Sequence, residues 1–575
     1  MSGTLVTTFG TSGTVVAKFS QSNTSRAVSV AVDQGNKIIV AGNNIISNIN
    51  YYCLAKYLPS GILDTSFGTN GTVIQTNYAN TTANSVALDQ NNNIIIAGNA
   101  TSGNYFLAKY SSLGILDTTF GTNGIVFTTY AGLGSNLKTI TTDQNNNIFT
   151  GGSANLDAGL FAVSKLLSNG SLDSTFGTGG SVVFNTGLDN APTINSIKIN
   201  QNNNIICVGT TFYYVGEPSN YYALNILSPN GTVTTAIANQ YSGTSNNSEG
   251  NSVAIDQNNN IIIAGHIQYN PPTSVGYYAL AKYSSSGVLD TTFGTNGSVI
   301  ASPSTGSYNP SAVSVAIDQI NKIIVYINFN GYYALAKYSS SGVLDTSFGS
   351  NGSAVASFSD VYSSIATSMA IDPIDNKIVV AGYIPDNGYY GLAKYFNYNY
   401  PCFKEGSKIL TNKGYIPIQD LRKGDLVKTV KHNYKPIEMI GKREIYHPAL
   451  KERIKDQLYQ CSNDAYPEIF ETLVITGCHS ILVENSITVV DAEQIEKVKE
   501  VNGGIYLTDD KLRLPACIDE RTSIYPVPGT YMIYHLALEN DDYFMNYGIY
   551  ANGLLVETCS KRYLYEVSGM TLLKE

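Results

Sequence analysis

The chain has 575 residues, too many for one hydrophobic core and enough for two or three domains. Its formal net charge of -9, with 13% charged residues, excludes the basic footprint that nucleic acid or an anionic membrane surface requires. The longest apolar runs, such as Ile94-Ile95-Ile96-Ala97, are strand-sized and fall far short of the roughly 18 residues of a membrane-crossing helix.

The start, Met1-Ser2-Gly3-Thr4-Leu5-Val6, has neither a charged n-region nor an apolar h-region. The expectation is a soluble protein without a classical signal, cytoplasmic or virion-associated. Of the 7 cysteines, those at 402, 461, 478, 517 and 559 fall in the last third, and none forms a C-x-x-C pair. This reads as free thiols in a reducing compartment, with no metal site and no cofactor. Abundant Asn, Ile and Tyr with no Trp suggest AT-rich coding, as in large DNA viruses or intracellular organisms.

From the N-terminus to residue 395 the chain repeats. A (Y/F)-x-L-A-K-Y segment is followed by S-S-x-G-(I/V)-L-D-T-(S/T)-F-G-(T/S)-N-G and then by S-V-A-(I/L/V)-D-Q-N-N-N-I-I-I-A-G. The acid or amide before the I-I-I strand falls at Asp33, Asp89, Asp143, Asn200, Asp256, Asp318 and Asp372, a period of about 54 to 62 residues. A fixed period of that length without helical periodicity means a stacked or circular β architecture. Each copy offers four short strands, exemplified by Gly71-Thr72-Val73-Ile74, 85–89, 94–98 and 105–110, joined by N-N-N and N-G turns. Four strands in each of seven copies predict a β-propeller, with an open solenoid as the competitor.

The termini choose between the two. The last copy stops at Leu392-Ala393-Lys394-Tyr395 without its tail, while the chain opens with Leu5-Val6-Thr7-Thr8-Phe9-Gly10, which has the tail's shape. Such a permuted overlap suits ring closure, whereas an open stack needs distinct caps. A seven-bladed propeller over 1–395 is therefore expected, its last blade closed by the N-terminal segment. The repeat resembles the bacterial and viral delta-60 propeller repeats, which implies a fold and no particular activity. Copies four and five depart from the consensus, with Asn200 for Asp and Ser228-Pro229-Asn230-Gly231-Thr232-Val233 for the tail. Drift explains this, or a rim that binds something.

Nothing catalytic repeats in the propeller. Asp89-Gln90-Asn91-Asn92-Asn93 lacks the glycine and terminal glutamate of a calcium loop and reads as a hairpin turn. Asp64, Asp117, Asp173, Asp290 and Asp345 precede T-(S/T)-F-G, where a short carboxylate caps the turn. The Tyr pairs at 51–52, 221–222, 277–278, 332–333 and 389–390 place one ring inward and one outward. A propeller partner of unknown kind, protein or glycan, and assembly into a larger structure remain open.

A composition break at 396–401 forms a linker, after which Lys, Glu and Arg become frequent. Residues 402–575 read as mostly β, with one polar segment, Leu450 to Tyr459, of short-helix character. Three blocks stand out: Cys402-Phe403-Lys404-Glu405-Gly406 leading into a strand-and-turn pattern; Thr476-Gly477-Cys478-His479; and Tyr534-His535-Leu536 followed by Asn552-Gly553-Leu554-Leu555-Val556-Glu557-Thr558. In this order they resemble the Hedgehog/intein (Hint) family of self-cleaving domains. The resemblance implies a compact, pseudo-symmetric β-fold that sets the first residue beside the T-x-x-H turn.

It also implies chemistry on the chain's own backbone. A thiol heading the domain attacks the preceding carbonyl and converts the Pro401–Cys402 peptide to a thioester. That step needs a proton for the leaving nitrogen and a group that holds the amide, which the family pattern assigns to His479 and Thr476, with Cys402 as nucleophile. His535 is either a second proton-transfer group or a core histidine. An intein ends in His-Asn before Cys, Ser or Thr, but Glu557-Thr558-Cys559 stands here, so full splicing is not expected. A prolyl acyl group at Pro401 slows the thioester step. The overall reading is an all-β protein: a seven-bladed propeller, then a Hint-type domain that cleaves itself at Cys402. The alternative is a non-catalytic structural or surface-assembly protein whose Hint fold is inert.

Overall fold

The architecture is that of a computed structural model, which describes all residues except 1–2, 4, 7–8, 21–23, 155–158, 186–189, 214–218, 242–246, 269–275, 303–310, 319–320, 330, 347, 351, 359–362, 374–376, 396, 398–400, 448, 450–452, 454–456, 485–492, 496, 499–504, 562, 565–569 and 574–575. Most of the expected short helix at 450–459 lies outside these residues; its end, Leu458–Cys461, is strand. Among the described residues no helix is long and apolar enough to cross a membrane.

The repeats form seven four-stranded antiparallel sheets, the blades of a propeller. Blade one is typical: Thr24–Val32, Ile38–Ile46, Ile49–Tyr57 and Thr72–Ile74, hydrogen-bonded in that order. The blade begins at the S-V-A strand and ends after the F-G-T-N-G turn, so the tyrosine pair sits on its third strand. Blade seven comprises Ile365–Ile371, Ile378–Ile384 and Tyr389–Tyr395, and its fourth strand is Thr14–Ala17 from the other end of the chain. Thr14 pairs with Ala393 and Ala17 with Tyr390, so the edge of the last sheet is covered.

Local chemistry makes each turn. In D-Q-N-N-N the Asp89 carboxylate accepts from the N–H groups of Asn91 (2.9 Å) and Asn93 (2.8 Å), while Asn92 adopts φ 59°, a left-handed conformation that Asn tolerates. Asn92 also bridges blades, its side-chain oxygen accepting from Gln34 N–H at 3.1 Å. In the tail, Asp64 accepts from the Ser66 amide (3.2 Å) and hydroxyl (2.6 Å), a turn cap and not a metal ligand.

Three contacts join one blade to the next. The inner tyrosine of each pair meets the A-K-Y tyrosine of the following blade: Tyr52–Tyr110 at 3.0 Å, Tyr222–Tyr283 at 2.6 Å, Tyr278–Tyr338 at 2.5 Å, Tyr333–Tyr395 at 2.8 Å and, across the ring closure, Tyr390–Tyr57 at 2.5 Å. Between blades three and four both positions are apolar, Phe161 and Leu227, so no hydroxyl is stranded. Second, Lys56 lies in a buried ion pair with Asp33 (2.9 Å) and donates to the Ser112 carbonyl of blade two (2.9 Å). Third, the tail phenylalanines Phe9, Phe67, Phe120, Phe176, Phe293 and Phe348 are fully buried as plugs in the seams.

Blade four lacks the second and third devices together. Asn200 replaces the aspartate and Ile226 the lysine, which avoids one buried charge without its partner. Its tail is shortened to a plain hairpin, with Leu227 pairing Val233, and no phenylalanine is present.

The C-terminal module is one continuous 15-stranded sheet system around one large apolar cluster and a smaller one that holds Cys402 and Cys559. Its spine is the long antiparallel pair Tyr434–His447 and Gly529–Leu538, running from Ile437 opposite Leu538 to His447 opposite Gly529 with a bulge between Ile437 and Met439.

The ring-closing tyrosines give a direct test. Tyr57→Phe strands the buried Tyr390 hydroxyl and should destabilise the propeller by about 1–3 kcal/mol, whereas Tyr57→Phe with Tyr390→Phe should come close to neutral. Denaturant unfolding of the two variants and the parent measures this; additive losses would mean the hydroxyls do not bond each other.

Candidate active site

Cys402 enters the C-terminal module as the residue before a two-residue strand, Phe403–Lys404. That strand lies between two others: Phe403 pairs with Ile475 on one side and with Tyr534 on the other. The placement brings the three sequence blocks together. Strand Leu473–Thr476 delivers the T-x-x-H turn, and strand Gly529–Leu538 delivers His535 one residue beyond Tyr534.

Thr476 grips the main chain of Cys402 from both sides. Its hydroxyl oxygen accepts the Cys402 N–H at 2.8 Å, and its own N–H donates to the Cys402 carbonyl at 3.0 Å. The Cys402 N–H belongs to the Pro401–Cys402 peptide, so Thr476 touches the amide that the sequence marks as scissile. Cys402 itself is fully buried. Burial holds its thiol well above the usual thiol range, the Cys478 and Cys559 sulfurs add to this, and the Arg443 guanidinium pulls the other way.

His479 and His535 are both fully buried. Their rings stand 5.1 Å apart between centroids and flank Phe403, the His479 ring at 4.3 Å and the His535 ring at 5.5 Å. Neither nitrogen of the His535 ring has a hydrogen-bond partner, and the His479 ring has only a weak contact with the Glu557 main chain. His479 therefore stands one aromatic ring from the junction and makes no hydrogen bond to the Cys402 amide. Burial pushes the His479 imidazole down to about 3, partly countered by the Glu557 main chain. Burial and the nearby His479 push His535 well below the ordinary histidine value.

His447 shows what a structural histidine looks like in the same module. Its Nδ1 accepts from Leu458 N–H at 3.0 Å, and its Nε2 lies 2.6 Å from the Tyr525 carbonyl, to which it donates. Neither His479 nor His535 has such a pair of bonds.

The N-G-L-x-x-E-T block is mostly scaffold. Asn552 adopts φ 50°, accepts from Lys408 N–H and donates to the Glu471 and Thr472 carbonyls at 3.2 and 3.1 Å. A Cβ at Gly553 would lie 2.2 Å from the Glu468 carbonyl, so only glycine fits. Glu557 ties the turn after His479 to the sheet, accepting from Ser480 N–H at 3.3 Å and pairing with Arg513 at 3.2 Å.

Sequence reasoning passed over Cys559. It is buried in the same apolar cluster as Cys402, with its thiol donating to the Leu536 carbonyl at 3.3 Å. Its signal was present: it follows Glu557-Thr558, at the position where the intein pattern has Cys, Ser or Thr. Cys478, half-buried, has its sulfur 3.7 Å from the Thr476 hydroxyl, whereas Cys461 is core. Among the described residues no group of three His, Cys, Asp or Glu side chains is arranged to hold a metal.

Residues 401–501 match the Hint domain family, and the short first strand there lies between the T-x-x-H strand and strand Gly529–Leu538. Among solved structures, the gp41-1 intein is similar at 11% identity, covering 27% of this chain and 98% of its own, with a TM-score of 0.16. The bacterial intein-like domain from Clostridium thermocellum is similar at 15% identity, covering 28% and 99%, with a TM-score of 0.17. Polysaccharide lyase Uly1 is similar at 11% identity over 65% of this chain and 90% of its own, with a TM-score of 0.39. No curated protein sequence matches the chain.

The buried imidazoles predict acid sensitivity. Both have folded pKa values below the 6.5 of a free histidine, with His479 near 3, so only the unfolded chain takes up their protons between those values. Stability of the C-terminal module should fall as pH drops from 6.5 towards 3. His535→Leu should flatten that fall, as read by urea unfolding at stepped pH; an unchanged slope would show that His535 is not buried neutral.

Proposed function

We propose that the C-terminal module is a cis-acting, self-cleaving domain that forms a thioester at Cys402 and breaks the Pro401–Cys402 bond. The observation that carries this reading is the bond from the Cys402 N–H to the Thr476 hydroxyl at 2.8 Å. It fixes the nitrogen that must leave, which is the orienting role an intramolecular amide attack requires.

The proton inventory suits the remaining groups. The Cys402 thiol is protonated and His479 is neutral, so the imidazole is in the form that accepts a proton. The thiol S–H breaks as its sulfur bonds to the Pro401 carbonyl carbon. The C–N bond then opens, and the imidazole returns the same proton to the Cys402 nitrogen as a free amine. The step is an isomerisation and consumes nothing. Water, an external thiol or the nearby Cys559 thiol then receives the Pro401 acyl group.

His535 and His479 interact through space. Two imidazoles 5.1 Å apart cannot both be charged cheaply in a dry site: burial keeps His479 neutral, and burial together with His479 keeps His535 neutral. The second reading is a module used for assembly alone, and the full burial of Cys402 favours it.

The two readings separate on the bench. Full-length protein warmed with dithiothreitol or hydroxylamine should release a fragment ending at Pro401, seen by intact mass. Cys402→Ala should abolish release, and His479→Ala should slow it by about 10²- to 10⁴-fold. An intact chain in every sample would leave the assembly reading.

A further inference from the structure

We propose that the seam between blades four and five of the propeller is a binding site for an uncharged sugar. This rests on the propeller alone and is independent of any cleavage at Cys402.

The site exists because one plug is missing. In other seams the tail phenylalanine packs with the tail leucine of the following blade: Phe67 with Leu116, Phe120 with Leu172 and Phe293 with Leu344. Blade four has no tail, so Leu289 of blade five meets no phenylalanine. Ile226, Ile237 and Thr235 fill the space beneath Gly287, and only part of the gap closes. What remains beside Leu289 is a cleft of about 590 Å³. Small-ligand sites typically measure about 300–1,000 Å³, so one or two pyranose rings fit.

The lining selects the chemistry. Among the described residues no Asp, Glu, Lys, Arg or His lines it, so a phosphate, a carboxylate or a cation finds no counter-charge there. One wall is apolar, formed by Leu289, Val299 and Ile300. The other carries amides and hydroxyls from Asn239, Tyr222, Thr295 and Asn296. Asn239 donates to the Tyr283 hydroxyl at 3.3 Å, is hydrogen-bonded to the Tyr222 hydroxyl and accepts from Gln240 N–H at 2.8 Å, so these groups form a closed polar floor, and the exposed Thr295 and Asn296 supply the polar groups open to a ligand. Burial holds the Tyr222 hydroxyl in its protonated form, so it is neutral as well. A wholly apolar ligand would take the Thr295 hydroxyl and the Asn296 amide out of water without replacing their hydrogen bonds, whereas a neutral pyranose has a C–H face for the leucine wall and hydroxyls for those two side chains.

Saturation-transfer NMR on the full chain tests this with the methyl glycosides of glucose, galactose, mannose and N-acetylglucosamine, and with maltose and cellobiose. Glucuronic acid and glucose 6-phosphate serve as charged counterparts. At least one neutral sugar should receive saturation, and the charged ones none. Thr295→Trp and, separately, Ile300→Trp add bulk from exposed rim positions, and each should weaken binding by about tenfold or more with melting unchanged. Transfer to no neutral sugar, equal transfer to the charged ones, or binding indifferent to both tryptophans would overturn the proposal.

Discussion

The hydroxyl of Thr476 accepting the N–H of Cys402 is the constraint on which the C-terminal module's geometry turns. It joins the first residue of the module to a turn more than seventy positions later, and it does so at the one peptide that links the module to what precedes it. The neighbouring Phe403 is locked between two strands, so the junction cannot drift from the T-x-x-H turn without breaking a sheet on both sides. Everything polar nearby is then dry. A protonated thiol and two neutral imidazoles share that space, and the low dielectric that keeps them neutral also strengthens any contact formed as charge develops.

The propeller is legible at two levels, and the sequence supported only the first. Period, turn residues and the permuted ends specified the blades, because N-G and D-Q-N-N-N fix hairpins through local bonds that need no tertiary context. The contacts between blades were not legible in the same way. Nothing local tells that Tyr52 meets Tyr110, or that Lys56 pairs with Asp33 and reaches Ser112. Those links are visible only when positions in adjacent copies are compared. Blade four then becomes intelligible: Asn200 and Ile226 replaced both members of an ion pair, which a single change would have left half-buried and unpaired.

In the C-terminal module the legible part was the set of residues that touch the junction. Thr476 and Cys402 are local enough to a recognisable pattern to be placed in advance. The burial of His479 and His535 was not, since a histidine in a sequence carries no sign of whether its nitrogens will be satisfied. His447 has both nitrogens engaged by the main chain, whereas the more deeply buried His479 has only the Glu557 main chain near it. Cys559 was missed for a related reason. Its proximity to Cys402 is made by the sheet and the packing of Leu458, Ile533 and Ala537, not by spacing along the chain.

Hydrogen exchange at a single amide tests the central geometry most directly. In the full chain with Cys402 labelled, the Cys402 N–H should exchange slowly, and Thr476→Val, which keeps the shape but removes the acceptor, should speed it by about tenfold or more. Rapid exchange in the parent chain, or the same rate in the variant, would show that Thr476 does not hold the Cys402 nitrogen.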